Sequence, residues 1–569
     1  MRWMPAGWTP SLFRSWGRGP SVRDDILAGV VLTGLLVPAG MGYAEAAGLP
    51  AITGLYATVV CLVAYALLGP SRVLILGPDS SLAPIIAAIV APIAVARSAE
   101  AVAVAGLLAV LTGAVLVLAG VLRLGLLADL LSKPIRVGYL NGVALVLVIS
   151  QLPKLFGFAV DGDGVIATGR DFLEGLLDRN IVGPALAIGA GSLVVMLVMK
   201  RRLPRVPGLL LGVVGASLVV WVGGLEDQLP VVGEMPSGLP SPALGSLSWQ
   251  TAWTLLPGAL GLALIASADT GVLSRSLASR VHEDTDQSHE MAALGAANIA
   301  TGLLGGFPIS ASSSRTPVAL GSGARSQLTG IVGAFLVMAL VMLAPRATAL
   351  LPSSVLAAVV IVAATSLAEP TQMTSLWRAR RFEGVLALVA FLGVTLAGPL
   401  RGIGVAVLLS LAAFVLRAWR PYVTELVRVR QRKGYHDVAR HPAGERIPGL
   451  VIARFDAPLF FANAGVFQRA IQDLVAAATP NPSWVVISAE PITDIDTTAA
   501  DMLVELDELL ASSGVHLVFA ELKGPVKDHL ADYGLTARFG PDRHYPTLGT
   551  AVAGFLAATD TAWEDWTDR

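Results

Sequence analysis

The chain has 569 residues, of which 54% are hydrophobic and only 14% are charged, and its mean hydropathy is +0.69. Soluble globular domains carry about 25% charged residues, so this composition excludes an ordinary soluble enzyme and a disordered chain. The formal net charge of -1 hides an uneven distribution, because residues 421–569 hold 13 Lys and Arg against 20 Asp and Glu. A large basic, apolar part is therefore followed by a small acidic part.

Residues 1–24 are predicted to form a cytoplasmic arm, because no apolar core of signal-peptide length lies beside their basic residues. The aromatic residues of this arm favour contact with the membrane surface. The single cysteine, Cys61, excludes a disulfide within the chain and a cysteine-rich metal site. The spacing of the seven histidines also indicates no metal site, and we expect no cofactor and no nucleic-acid partner.

Apolar runs that could cross a bilayer recur from Ile26 to Trp419. A membrane helix needs roughly 20 such residues, and the runs divide into about fourteen spans, so both ends of the membrane domain lie on one side. The predicted spans within this domain, residues 25–420, are 25–46, 52–69, 78–96, 100–122, 132–152, 182–199, 206–223, 254–275, 290–305, 310–322, 327–344, 352–366, 382–398 and 400–419.

Charges in the connecting segments orient these spans. One side is rich in cations, as at Lys200, Arg201 and Arg202, whereas the longest loop on the other side carries Asp161 and Asp163. Cytoplasmic loops carry an excess of Lys and Arg. The pattern predicts a multi-pass protein of the cell membrane with its N- and C-termini in the cytoplasm.

The third and tenth spans are interrupted in the same way. Residues 76–81 read Leu-Gly-Pro-Asp-Ser-Ser, and residues 305–315 read Gly-Gly-Phe-Pro-Ile-Ser-Ala-Ser-Ser-Ser-Arg. Backbone polar groups inside a membrane must be satisfied within the protein, so a broken helix there marks a cavity or a site. Paired interruptions seven spans apart predict an inverted repeat of seven plus seven spans. The alternative interpretation is a pair of ordinary loops.

Each interruption has chemistry that suits an anion. A half-helix that begins inside the membrane presents free N–H groups and the positive end of its dipole. Serine hydroxyls add donors, and an arginine adds charge and a forked set of donors. The predicted substrate-binding residues here are Ser80, Ser81, Ser312, Ser313, Ser314 and Arg315.

Two acids and a tyrosine complete the candidate site. Asp269 lies in an otherwise apolar span, where a carboxylate is costly unless it is paired or protonated, so it is predicted to hold a coupling ion. The alternative is a hydrated acid near the cytoplasmic end. Asp79 is either an N-cap or a pocket residue, and in a pocket it must be neutralised when an anion binds. Tyr43 is a pocket wall or an interfacial anchor.

The pattern changes after Trp419. Residues 421–446 are charged and read as a linker, with a basic run, Arg428–Lys433, that suits contact with anionic lipid. Alternating strands and helices then predict a small α/β domain over 447–560, followed by a tail, 561–569. Within it the strands are expected at 449–455, 484–488 and 515–520, and the helices at 465–478, 498–512 and 523–533.

These motifs resemble one family of anion transporters. The stretches LLVPAGMGYAEAAGLPAITGLYA, YALLGPSRVLILGPDSSLAP and NIATGLLGGFPISASSSRT are similar to those of the SulP family, which includes sulfate permeases and bicarbonate transporters. The stretches GLVIARFDAPLFFANA and VVISAEPITDIDTTAADML look like the STAS domain that usually follows. The resemblance covers nearly the whole chain.

The resemblance implies a mainly α polytopic membrane domain, divided into core and gate domains that work as an elevator, with a cytoplasmic α/β STAS domain and usually a homodimer. The anion then lies between the third and tenth half-helices, with Ser313, Ser314 and Arg315 at the family's tenth-span positions and Tyr43 as the pocket aromatic. In STAS signalling relatives the loop matching 496–498 is phosphorylated, which makes Thr498 a possible regulatory phosphosite; the alternative is that Thr497 or Thr498 is a plain N-cap.

The sequence departs from the family at three positions. Ala39 replaces a glutamine that often follows the first-span proline, and Asp79 stands where relatives often have an apolar or aromatic residue. Sodium-coupled relatives pair the acid at Asp269 with a threonine, but that position is Leu273 here. This loss of one sodium ligand favours H+ over Na+ as the coupling ion.

The leading hypothesis is a secondary active transporter of a small inorganic or carboxylate anion, with sulfate, bicarbonate and dicarboxylates such as fumarate all open. The alternatives are a nucleobase permease-like carrier, against which Arg315 and the STAS tail argue, and an anion channel or membrane-tethered regulator that signals through the STAS domain. No nucleophile, base and orienting residue form a set in the sequence, so covalent enzyme chemistry is not expected.

Overall fold

The computed structural model describes residues 22–124, 132–160, 162, 164–202, 208–233, 238, 242, 248–281, 286–312, 315–344 and 351–565. Helices and strands are numbered in chain order over these residues. The chain divides into two compact units after Ser410.

The first unit is built almost entirely of helices. Eight helices in the described part of the chain are long and apolar enough to cross a bilayer, and a described helix lies in each of the fourteen predicted spans. The predicted mainly α, polytopic membrane domain is confirmed. Its helices are α1 Val22–Ala46, α2 Ala51–Leu68, α3 Ala83–Val90, α4 Ala99–Val121, α5 Lys133–Leu155, α6 Gly164–Leu177, α7 Gly183–Arg202, α8 Gly208–Gly223, α9 Trp249–Val281, α10 Gln287–Leu303, α11 Arg315–Gly321, α12 Leu328–Leu343, α13 Ser353–Leu367, α14 Pro370–Ala379 and α15 Arg381–Ala397. The last predicted span forms α16, Pro399–Trp419, within which the division between the two units falls.

Two of these helices were not expected as separate elements. Helix α6 lies in the acidic loop between the fifth and sixth predicted spans, and α14 fills the connection before α15. Both are amphipathic, with apolar residues on one face, as is typical of helices that lie at a surface.

The membrane helices pack as two groups. In the first, α4 lies along α10 and α9, while α12 packs on α1 and α2. In the second, α5 packs on α13 and α15, and α7 packs on α13 and α8. Close packing of α4 on α10 depends on small residues, because a Cβ added to Gly295 would lie 2.6 Å from the Gly113 carbonyl oxygen. The surface between these two groups positions the site.

The two interrupted spans contain the shortest helices of the described membrane unit. Helix α3 has eight residues and α11 has seven, and each follows a two-residue strand, β1 (Leu76–Gly77) or β2 (Ser310–Ala311). These two strands pair with each other in an antiparallel ladder. The breaks predicted from the Gly-Pro-Ser pattern are therefore present, and they meet.

The second unit is an α/β domain around a six-stranded mixed sheet in the order β4-β3-β5-β6-β7-β8. Strands β5 to β8 are parallel, and the apolar runs of β6 and β7 fit a position covered by helices on both faces. The predicted small α/β domain is confirmed. Its elements are β3 Val423–Arg428, β4 Tyr435–Asp437, β5 Leu450–Phe455, α17 Ala464–Ala477, β6 Trp484–Ser488, α18 Thr497–Ser512, β7 His516–Ala520, α19 Gly524–Asp532, β8 His544–Tyr545 and α20 Leu548–Thr559.

The stretch predicted as a charged linker, 421–446, differs from that expectation. Its residues Val423–Arg428 form β3, which pairs antiparallel with both β4 and β5. Arg428, the first residue of the basic run expected at a lipid surface, is 6% exposed and forms an ion pair with Asp565 at 2.6 Å. Glu425 and Thr424 within this strand gave it a polar composition that masked its period-two alternation.

Candidate anion site

The two interrupted stretches are joined backbone to backbone. Leu76 pairs with Ala311 and Gly77 with Ser310 in the ladder between β1 and β2. The ladder is extended by the Ser312 N–H, which donates to the Ile75 carbonyl oxygen at 3.2 Å. In return the Ile75 N–H donates to the Thr316 hydroxyl at 3.1 Å. Free backbone groups at the two breaks therefore partly satisfy each other, as a bilayer interior demands.

Polar side chains from neighbouring helices satisfy the second break further. Asn298 of α10 is fully buried; its amide nitrogen donates to the Ile309 carbonyl oxygen at 3.1 Å and its amide oxygen accepts the Ile309 N–H at 2.9 Å. The Thr270 hydroxyl of α9 accepts the Ala311 N–H at 3.3 Å. Sequence reasoning missed both residues. The available signal was a lone amide, Asn298, inside an apolar span.

Arg315 is the largest side chain among the fully buried ones of the described residues, with 2% exposure. Its Nη2 donates to the Pro78 carbonyl oxygen, which ties the second break to the first. Its Nε and Nη1 have no hydrogen-bond partner among the described residues. Gly77 makes room for the guanidinium, because a Cβ there would lie 3.0 Å from Cζ. Unpaired buried donors of a cation are costly, and an anion would satisfy them.

The helix terminus contributes less than the sequence suggested. Helix α11 begins at Arg315, whose N–H donates to the Ser312 hydroxyl at 3.2 Å, and it has only seven residues. A helix dipole is the sum of aligned peptide units, so two turns carry a weaker one. Positive charge at this break therefore comes mainly from the guanidinium.

The two acids meet at the first break. Asp79 does not cap α3, which begins at Ala83; its Oδ2 accepts the N–H and the hydroxyl of Ser81, at 2.9 and 2.7 Å. Asp269 lies well inside α9, not at its end, and its Oδ2 is 3.1 Å from the same Ser81 hydroxyl oxygen. One serine thus contacts both carboxyl groups.

A cavity of about 530 Å³ lies between the two helix groups. Its deep end is formed by Tyr43, Asp79, Ser80 and Arg315, and no ion pair within 4.0 Å joins Asp79 to Arg315. Apolar side chains form most of the remaining walls. These come from α1, α11, α7, α8 and α13: Val31, Leu35, Ala39, Pro317, Val318, Met196, Leu209, Val359, Val362, Ala363 and Leu367.

A cationic side chain lies at the mouth of the cavity. In the sequence this residue served only to orient the membrane spans. Lys200, in the last turn of α7, lines the cavity, and its Nζ donates to the Ser366 hydroxyl at 2.6 Å. At the other end of α1, Glu45 is buried; it pairs with Arg97 at 3.4 Å, and its carbonyl oxygen accepts from Lys154 at 3.3 Å. The cavity therefore opens at the end where α1 begins and α7 finishes.

The predicted site residues fall into four groups. Tyr43, Asp79, Ser80 and Arg315 line the cavity. Behind them lie Ser81, with Asp269 beside it, and Ser312, whose hydroxyl accepts the Arg315 N–H. Ser313 and Ser314 lie outside the described residues. Thr498 belongs to the second unit, where it is exposed in the first turn of α18.

The start of α18 corrects one interpretation of the Asp-Thr-Thr motif. Neither Thr497 nor Thr498 is the N-cap. Asp496 is, because its side chain accepts the Ala499 N–H at 2.8 Å. Its other carboxylate oxygen accepts the Phe461 N–H at 2.8 Å, so the acid also fixes the preceding loop.

Two sequence families match the chain. The sulfate permease family matches residues 22–390, and the STAS domain matches residues 441–551. A probable sulfate transporter of Mycobacterium tuberculosis is 36% identical over 553 residues, which cover 97% of this chain and 98% of that protein. The chloroplastic sulfate transporter 4.1 of Arabidopsis thaliana is 27% identical and covers 96% of this chain, over 82% of its own length.

Two solved structures have the same architecture. The murine solute carrier 26 family member A9 anion transporter, in its inward-facing state, superposes with a TM-score of 0.88 at 22% identity, over 97% of this chain and 94% of that one. The transmembrane domain of the cyanobacterial bicarbonate transporter BicA superposes with a TM-score of 0.59 at 20% identity, over 69% of this chain and 98% of that one. At these identities the likeness concerns the fold.

Proposed function

Because this chain belongs to the sulfate permease family of anion transporters and carries a STAS domain, we propose that it is a secondary active carrier whose leading substrate is sulfate. The observation that carries the proposal is the buried guanidinium of Arg315 at the deep end of a cavity that reaches the protein surface, where its Nε and Nη1 have no hydrogen-bond partner in the described part of the chain. A divalent oxyanion offers the several acceptor oxygens that such a fork of donors takes.

The position of the cavity supports an elevator-type transport cycle. Both breaks and Arg315 belong to the helix group of α1, α9, α10 and α12, whereas α7, α8 and α13 form the opposite wall. Movement of the first group past the second, as in an elevator, would carry the bound anion from one side to the other. The open end carries Lys200 and the cation-rich segment after it, so this state faces the cytoplasm by the positive-inside rule.

A proton is the proposed coupling ion. Asp79 forms part of the same wall as Arg315, and an ionised carboxylate there would repel a bound anion. Protonation removes that repulsion, so anion and proton would bind together. Position 273, which matches the sodium-coupling threonine of relatives, is a leucine, and this weakens the case for Na+.

Reconstituted transport tests the proposal. Proteoliposomes containing the purified chain should take up labelled sulfate against its gradient when the outside is acidified, and an imposed sodium gradient should leave uptake unchanged. Bicarbonate and fumarate are then added as competitors of labelled sulfate uptake, and the strength of their inhibition ranks them as alternative substrates. Sodium-driven uptake without a response to pH would contradict proton coupling, and no saturable uptake of any of the three anions would contradict the carrier.

The same vesicles separate a carrier from the alternatives. A carrier shows counterflow, in which unlabelled sulfate inside accelerates entry of labelled sulfate, whereas a channel does not. Uracil uptake without sulfate uptake would favour the nucleobase permease alternative, against which the buried arginine argues.

Three further expectations complete the proposal. The protein is proposed to lie in the cell membrane with both termini in the cytoplasm, to act as a homodimer, and to accept phosphate at Thr498, whose exposure at a helix start suits a phosphate group. Native mass spectrometry of the detergent-solubilised protein reports the subunit number and any phosphate together.

A further inference from the structure

Ser81 connects two carboxyl groups that lie far apart in the sequence. Its hydroxyl oxygen is 2.7 Å from Oδ2 of Asp79 and 3.1 Å from Oδ2 of Asp269. The serine is fully buried, and Asp79 is 8% exposed. The sequence around Asp79 does not indicate this contact, because Asp269 lies in α9, in the second half of the membrane unit's sequence.

The single hydroxyl hydrogen of Ser81 limits how many of the two carboxyl groups can be ionised at once. A serine hydroxyl carries one hydrogen and can donate it to one acceptor at a time. If both carboxyl groups were ionised, one of the two contacts would bring two acceptor oxygens together without a hydrogen between them. With one added proton, both contacts become hydrogen bonds, because the protonated carboxyl group donates to the serine oxygen.

The backbone around Ser81 favours one of the two acids as the holder of that proton before an anion binds. Oδ2 of Asp79 already accepts the Ser81 N–H at 2.9 Å in addition to the hydroxyl. An oxygen that accepts two hydrogen bonds is best ionised. Asp269 is then the protonated acid, which donates to the Ser81 oxygen, and Ser81 donates to Asp79.

We propose that Ser81 is a positioning residue that shares a single proton between Asp79 and Asp269, so that anion binding moves the proton toward the cavity. This inference rests on the proposed function and specifies how the coupling ion is held. In the shift, the O–H bond of Asp269 breaks as a new O–H bond forms on Ser81. The original O–H bond of Ser81 breaks, and its hydrogen bonds to Asp79. Within this shift no proton is gained or lost, and the negative charge moves from Asp79 to Asp269. Where the pair has already lost its proton to solvent, anion binding first takes one up.

The surrounding charges favour that movement when an anion is present. Tyr43 and Arg315 line the same cavity wall as Asp79, and Cys61 of α2 lies near enough to the arginine to interact with it electrostatically. Arg136 and Tyr139 of α5 face Asp269 from the opposite helix group. An anion beside Arg315 therefore repels the charge on Asp79, while Arg136 stabilises the charge that appears on Asp269.

Binding of labelled sulfate to the purified full-length protein tests the inference across pH 5.5 to 8. At pH values where the anion-free pair has lost its shared proton to solvent, anion binding must take one proton up, and this linkage raises Kd by at most about tenfold per pH unit. The wild type is expected to approach that value toward pH 8. Ser81→Ala should flatten this dependence to less than about threefold per pH unit. Ser81→Thr, which restores a hydroxyl, should recover it. Ser267→Ala, on α9, is the matched control, because that buried hydroxyl donates only to Leu264 of its own helix.

Asp79→Asn supplies an independent measurement if Ser81→Ala does not fold. The amide mimics a permanently protonated acid, so sulfate affinity at pH 8 should rise to the acidic wild-type value and lose its pH dependence. The shared proton would be overturned if Ser81→Ala or Asp79→Asn kept the wild-type dependence of the sulfate Kd on pH, or if the wild-type Kd did not depend on pH. Either result would leave the sulfate carrier standing. Failure of the wild type to bind sulfate at any pH would instead overturn the proposed function.

Discussion

The two interrupted spans share one backbone plan and carry opposite charges. Each has a two-residue strand before a short helix, and the strands pair. The first break holds a carboxyl group, Asp79, whereas the second holds a guanidinium, Arg315, and both line one cavity. The matching backbones interrupt the two spans at one place. The differing side chains fit the proposed division of roles, in which one break binds the anion and the other senses its charge.

The breaks also differ in how their backbones are satisfied. The second is held by an amide with two hydrogen bonds to Ile309 and by a threonine hydroxyl on Ala311. In the first, the Ile75 N–H relies on the Thr316 hydroxyl, which belongs to the second break. We therefore expect the second break to be the more rigid scaffold and the first to depend on it. Four substitutions test these two differences between the breaks, in their side chains and in how their backbones are satisfied.

Arg315→Gln should have the largest effect, because it removes the positive charge and the forked donors from the second break. A bidentate charge-assisted contact contributes about 3 kcal/mol, so Kd for sulfate should rise about 100-fold or more. Equilibrium binding measures it. Lys200→Gln at the cavity mouth is the control, and it should change Kd by less than about fivefold because an exposed cation is screened. An Arg315→Gln protein with a wild-type Kd would contradict the division of roles.

Asn298→Leu should destabilise the protein by about 2–3 kcal/mol, because it leaves the buried N–H and C=O of Ile309 without partners. Thermal unfolding followed by intrinsic fluorescence measures the loss. Thr301→Val on the same helix is the control, since that hydroxyl donates only to Ala297 of its own helix. Equal melting temperatures for the two variants would show that the second break does not depend on the amide.

Gly77→Ala should weaken sulfate binding about tenfold, a cost of about 1.4 kcal/mol. The added Cβ would lie 3.0 Å from Cζ of Arg315, so the guanidinium must shift away from the position that the first break gives it. Gly191→Ala in α7 is the matched control, because a Cβ there meets no atom within 4 Å. An unchanged Kd in Gly77→Ala would mean that the arginine does not need this position.

Thr316→Val should have the smallest effect, a loss of about 1 kcal/mol of stability, since one buried N–H, that of Ile75, loses its acceptor. Thr58→Val provides the comparison: its buried hydroxyl donates to the Gly54 carbonyl within one helix. If Thr58→Val lowers the melting temperature as much as Thr316→Val, the link between the breaks adds nothing beyond the loss of a hydroxyl.

Local patterns in the sequence were sufficient to locate both breaks. Gly, Pro and Ser at the head of a short apolar run give a signal that does not depend on distant residues, and Arg315 follows directly. The same holds for β6 and β7, whose apolar runs are continuous. Features of this kind are encoded within one segment of chain, so sequence reasoning reaches them.

Contacts between distant segments could not be predicted in this way. Ser81 meets Asp269 across 188 positions, and the Gly and Pro residues that mark the second break do not indicate that Asn298 satisfies the backbone of Ile309. A strand also escaped detection where polar and charged residues are mixed with apolar ones, as in β3. In each case the missing information was the identity of the neighbour, which only packing supplies.

In the proposed carrier the anion binds where the two breaks meet, beside Arg315. Anomalous diffraction from crystals grown with selenate, which has the shape and charge of sulfate, locates the anion directly. A selenium peak within hydrogen-bonding distance of the Arg315 guanidinium, at the deep end of the cavity with Tyr43 and Ser80, is the predicted result. A peak confined to Lys200 at the mouth, with the deep end empty at saturating selenate, would contradict it.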